Sequence, residues 1–138
     1  MKRLLPLVAA LAVLSAGATV QAQDRQFTVD TNAAFTAMQP DSNGTVAQTL
    51  MHAPAGDVIA LEIGKLPRQV YTKQDDLLYV VSGYGSASVG YPTFDIKPGS
   101  ILSIPRNSAF EIKSTGAGPI RALLIATPKD DPSNKRIL

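Results

Sequence analysis

The chain has 138 residues, of which 13 are basic, 11 are acidic, one is histidine and none is cysteine. Without cysteine there is neither a disulfide nor a thiolate metal site, so the fold has to hold by packing alone. Charges of both signs nearly balance and no basic stripe stands out, so nucleic acid is not an expected partner.

The first residues, MKRLLPLVAALAVLSAGATVQA, follow the pattern of an export signal. Lys2 and Arg3 form a positive n-region, Leu4 to Ala18 an apolar stretch, and Val20-Gln21-Ala22 supplies the small residue needed before a cut. The apolar run is shorter than the roughly 20 residues of a spanning helix, and Pro6 interrupts it. Ala16-Gly17-Ala18 is a second candidate cut. Residues 1–22 are therefore expected to be a cleavable signal peptide, and the protein to be periplasmic or secreted, with no membrane attachment after cleavage. Loss of Lys2 and Arg3 would leave 11 basic residues (13 minus 2) against 11 acidic ones. The remaining 116 residues (138 minus 22) suffice for one core.

Residues 23–44 read as an N-terminal arm in which DTNAAFTAMQP forms one short helix, capped by Asp30 or Thr31 and stopped near Pro40. From Thr45 the chain becomes a series of short segments rich in Val, Ile, Leu and Tyr, with Gly or Pro near their ends. They are VAQTLMHA, VIALEIG, KLPRQVYTKQ, DLLYVVSG, SASVGYP, TFDIKPG, ILSIPR, AFEIKSTG and PIRALLIATP. In FEIK, Phe110 and Ile112 share one face and Glu111 and Lys113 the other. Gly83 and Gly85 are expected to make a tight turn between paired strands, and Pro98-Gly99 another. Short strands at this spacing without a helical period predict an all-β antiparallel sandwich or barrel over residues 45–128. The polar, Pro-interrupted residues 129–138 read as a loosely held tail.

Two spacings carry a resemblance. Asp76 is followed by six residues and Gly83, and Gly99 by five residues, Pro105 and the turn RNSAF. Together with the strands around them, from about Val58 to Pro128, they resemble the cupins, small antiparallel jelly-roll barrels. The resemblance implies a metal site made by two histidines, an acidic residue and a third histidine. Those positions fall here on Gln69, Tyr71, Asp76 and Phe110. A transition-metal site wants imidazole nitrogens beside the carboxylate. Only Asp76 keeps the ligand chemistry, so no metal and no other cofactor is expected.

Three functions follow as expectations. The first is binding of a small ligand or a partner through the barrel mouth, with Gln69, Tyr71, Asp76 and Phe110 as contacts. The second is a metal-independent isomerase, epimerase or lyase acting on a sugar or small organic acid. Asp76 and Tyr71 would be its acid/base pair, and His52, the single histidine, a further titrating group. The third is a metal enzyme with oxygen-rich ligands from the same residues. Each residue also has a plain structural reading. Asp76 suits a solvated strand start or an ion pair with Arg68 or Lys73, Tyr71 an ordinary strand position, and His52 a surface site beside a turn. Leu78, Val80, Ile104, Phe110 and Ile112 fit a core, and Arg106 fits a loop or an anion contact. Tyr79, Tyr84 and Tyr91 suggest an interface, and edge strands that need cover allow a homodimer.

Overall fold

The computed structural model describes residues 28–38, 44–128 and 132–138. The signal-peptide reading of residues 1–22 lies outside them. Helix α1 (Thr31–Ala37) starts at Asp30, whose carboxylate accepts a hydrogen bond from the Ala33 N–H at 3.1 Å, as an N-cap should. Nine strands follow: β1 (Thr45–Ala53), β2 (Gly56–Ile63), β3 (Lys65–Tyr71), β4 (Asp75–Ser82), β5 (Gly85–Val89), β6 (Thr93–Ile96), β7 (Ile101–Ile104), β8 (Phe110–Ser114) and β9 (Ile120–Thr127).

With a tenth, β10 (Lys135–Ile137), they form two five-stranded antiparallel sheets in the orders β1-β2-β9-β4-β7 and β10-β3-β8-β5-β6. The architecture is a jelly-roll sandwich of two sheets, as the sequence predicts. Strand β10 (Lys135–Ile137) comes from the tail expected to be loosely held. It pairs with β3 in the register Lys135↔Tyr71, Arg136↔Val70 and Ile137↔Gln69, and this is a correction. All three side chains of β10 are exposed, so backbone pairing, which composition does not reveal, seats it.

Alternation decides which side chains meet between the sheets. In β4, Asp76, Leu78 and Val80 are buried while Asp75, Leu77 and Tyr79 are exposed. β9 buries Ile120, Ala122, Leu124 and Ala126, and β8 buries Phe110 and Ile112. The apolar residues among them form the main core with Ile59, Leu61, Ile63 and Ile104. A second cluster lies on the outer face of the first sheet, where Phe35 and Met38 cover Leu50 and Ala60. Burial of Phe35 contributes about 2–3 kcal/mol toward holding the helix there. Beside it, Arg121 Nε donates to the buried Glu62 Oε2 at 2.6 Å, and the guanidinium lies 5.8 Å from the Phe35 ring.

The two glycines after β4 act differently from expectation. β4 and β5 do not pair with each other, so Gly83 carries the chain from one sheet to the other. Its φ of +91° favours glycine, and a Cβ there would stand 2.7 Å from the Pro119 carbonyl oxygen. The residue is needed for a close crossing rather than a hairpin.

Candidate functional site

Between the sheets lies a cavity of about 190 Å³. Ile59, Leu61, Leu78, Ile104 and Leu124 from the first sheet and Leu66, Phe110 and Ile112 from the second give it a mostly apolar wall. Its polar side chains are Thr45, Gln69, Tyr71 and Lys135. The Thr45 hydroxyl already donates to the Lys65 carbonyl at 3.2 Å.

Three of the sequence-predicted residues come together on this wall. Gln69 and Phe110 are directly opposite each other across β3 and β8, and the Tyr71 ring stacks on Phe110 with centroids 5.7 Å apart and planes at 20°. A register shift between Leu66 and Gln69 interrupts the β3–β8 ladder just before these residues. The turn after β7 is held from two sides. Asn107, in the left-handed region at φ +64°, donates its N–H to the Tyr71 carbonyl at 2.7 Å. Arg106 clasps Asp75 through its backbone N–H at 2.9 Å and through Nη2 to Oδ2 at 3.0 Å. Those bonds hold the Asp75 carboxyl below its ordinary range and raise the Arg106 guanidinium. Arg106 is therefore an anchor for the loop that delivers Phe110, not a loop cation awaiting an anion.

Gln69 is 1% exposed. Its Nε2 donates to the Pro67 carbonyl at 2.9 Å, which fixes the amide orientation. The other end, Oε1, is buried and has no hydrogen-bond partner among the described residues. A buried acceptor in this state costs on the order of 1–3 kcal/mol unless something donates to it.

Asp76 and His52 are placed elsewhere. Across the first sheet, His52, Asp57, Ala126, Asp76 and Ile104 stand opposite one another in a single row. The neighbouring inward row, Ile59–Leu124–Leu78, supplies cavity wall with all three side chains; the Asp76 row, one pleat away, supplies it only through Ile104. The cavity-lining residues thus include neither Asp76 nor His52. Asp76, 2% exposed, is not a solvated strand start; its Oδ1 accepts from Gln74 Nε2 at 2.8 Å. Gln74 Oε1 in turn accepts from Asn134 Nδ2 at 3.1 Å, which ties the C-terminal segment to β4. Arg68, offered above as a partner of Asp76, instead reaches Ser88 Oγ at 3.4 Å and the Gly90 carbonyl at 3.2 Å. His52 is half exposed, with Nδ1 3.0 Å from the buried Asp57 Oδ1. Tyr79, Tyr84 and Tyr91 are exposed on β4, in the crossing to β5 and in the β5–β6 turn.

The donors do not suit the metal site that the motif positions imply. Among the described residues no group of three His, Cys, Asp or Glu side chains converges. Gln69 has its nitrogen committed to Pro67, and Phe110 presents a buried ring with no donor atom.

Lys135 was missed in the sequence because it reaches the wall through β10, 64 residues along the chain from its partner Tyr71 (135 minus 71). Gln74 and Asn134 were missed because nothing in a lone polar residue announces a buried partner. Gln74 has one legible sign, its shared strand parity with Asp76.

No protein-family model matches the sequence, and no curated protein matches it. Solved structures do match in fold. A Klebsiella pneumoniae protein with a double-stranded β-helix domain superposes with a TM-score of 0.66 at 14% identity, over 83% of this chain and 96% of that one. The nucleoside dehydratase Pac13 from Streptomyces gives 0.61 at 15%, over 71% of this chain and 81% of that one. The cupin domain of Schizosaccharomyces pombe Cnp3 gives 0.60 at 15%, over 67% and 70%. The fold is that of the cupins. Proteins of this fold include enzymes, and at these identities the likeness is one of architecture.

Proposed function

We propose that this is an exported binding protein that uses the cupin cavity, without the usual metal, to hold one small and largely apolar molecule. The export part rests on the sequence of residues 1–22. The binding part rests on one observation: the buried Gln69 Oε1, on a mostly apolar cavity wall, has no donor among the described residues. At about 190 Å³ the cavity is slightly larger than the engineered cavities of about 150 Å³ that hold benzene. A single ring with a small substituent fits that size, and a hydroxyl or N–H on it would satisfy Gln69. The flat Tyr71–Phe110 stack offers such a ring an aromatic wall.

Proton-transfer chemistry by Asp76 and Tyr71 is less well supported. It needs both groups at one point of the cavity, and Asp76 is not among the lining residues and has its Oδ1 engaged with Gln74.

The test is a titration of phenol and toluene, which match in size and differ in the donor, into the wild type and Gln69→Met. The ratio of phenol to toluene affinity is expected to fall about tenfold in the variant, the worth of one hydrogen bond. An unchanged ratio, or no binding of either, would count against the reading.

A further inference from the structure

We infer that the cavity selects a small organic monoanion, with an apolar ring-sized body, a hydrogen-bond donor at Gln69 and a carboxylate at Lys135. The inference rests on the binding reading above and adds the chemical class of the ligand.

Charge is the first argument. Lys135 is the one formally charged side chain among the residues that line the cavity, and no acidic side chain is among them. It is exposed, and it forms no ion pair with another described residue. A cationic ligand would meet like charge at the rim, and a neutral one would leave the ammonium in water. An anion gains a charge-assisted hydrogen bond.

Geometry is the second. Lys135 stands opposite Tyr71 across β10 and β3, and Gln69 is two residues along β3 on the same face. Diagonal neighbours of this kind lie about 7–8 Å apart, a span that one ring with substituents at opposite ends can bridge. The Gln69 oxygen without a donor and the Lys135 side chain thus belong to the lining of one mostly apolar cavity, on neighbouring strands. Among the described residues the lining offers one positive charge and no second cation, enough to balance a single negative charge. That favours one carboxylate over a doubly charged phosphate.

The experiment compares para-hydroxybenzoate, phenol and para-hydroxybenzylamine by calorimetric titration into the wild type, Lys135→Gln and Lys135→Arg at low salt. In the wild type the acid is expected to bind about fivefold tighter than phenol, the scale of one partly exposed ion pair, and the amine weaker than either. Lys135→Gln should erase the preference for the acid, read as the ratio of acid to phenol affinity measured on the same variant. Lys135→Arg should keep the preference, and added salt should weaken it. Phenol and the acid binding equally to the wild type, or a preference that survives in Lys135→Gln, would overturn the anion assignment and leave the cavity reading intact. Failure of both phenol and the acid to bind would overturn the cavity reading and the assignment with it.

Discussion

Gln69 and Gln74 lie five residues apart on the two sides of one turn, and each is 1% exposed. Their amides are used in opposite ways. Gln74 donates to Asp76 and accepts from Asn134, so both ends of its amide are engaged and the C-terminal segment is tied to β4. Gln69 donates to Pro67, while its oxygen is buried without a partner. Burial alone does not separate the two, and neither does an unsatisfied oxygen, since Asp76 Oδ2 and Asn134 Oδ1 are buried without a hydrogen bond among the described residues as well; what separates them is that Gln69 lines the cavity and Asp76, Gln74 and Asn134 do not. The Asp76–Gln74–Asn134 network ties the C-terminal segment to β4, whereas Gln69, Tyr71 and Phe110 line the cavity, where the proposed ligand would meet the Gln69 oxygen.

The sharpest attempt to break this contrast is Gln74→Met. It removes the amide donor from Asp76 Oδ1 and the acceptor from Asn134 Nδ2 in one step. The expected loss is about 3 kcal/mol, read from denaturant unfolding at constant m-value. Asn134→Ala removes the Nδ2 donor from Gln74 Oε1 in the same chain of bonds. It should cost about 2 kcal/mol and lower the midpoint of thermal unfolding by about 10 °C. Near-neutral results for both would move this network out of the scaffold.

A smaller effect is expected at the exposed clasp between Asp75 and Arg106. The folded-state pKa of Asp75 lies below its ordinary value of 3.8. Its contribution to stability is therefore fully present above that value and is lost as pH falls through the lowered one. The difference in thermal midpoint between the wild type and Arg106→Gln should be constant from neutral pH to about pH 5 and shrink below about pH 4. The clasp is open to solvent, so the difference is small throughout. A difference that grows on acidification would mean the sign is wrong.

Most of the fold was legible. The nine strands from Thr45 to Thr127 announce themselves by alternation and by the Gly and Pro between them, and Asp30 marks the start of the helix. Strand β10 was not legible, because KRI has no buried face and its pairing with β3 is a long-range backbone event. The site was half legible. Parity put Gln69 and Tyr71 on one face, and the motif spacing brought Phe110 to them. The same spacing suggested Asp76 as a fourth member, yet the ladder places its row one pleat beyond Leu78, where Gln74 meets it. His52 ends that row, half in solvent beside Asp57, a pairing set by the β1–β2 register rather than by either residue type. Lys135 depends on β10 and was hidden for the same reason.

The most direct measurement is the thermal unfolding of Gln69→Met beside the wild type, with no ligand added. Methionine fills nearly the same space without the oxygen that lacks a donor, and Pro67, which loses the amide donor, is an exposed residue. The expected variant is at least as stable as the wild type, by up to about 1 kcal/mol or a few degrees in midpoint. A loss of the size expected for Gln74→Met would contradict that expectation, because Gln69 would then be one more satisfied member of the scaffold.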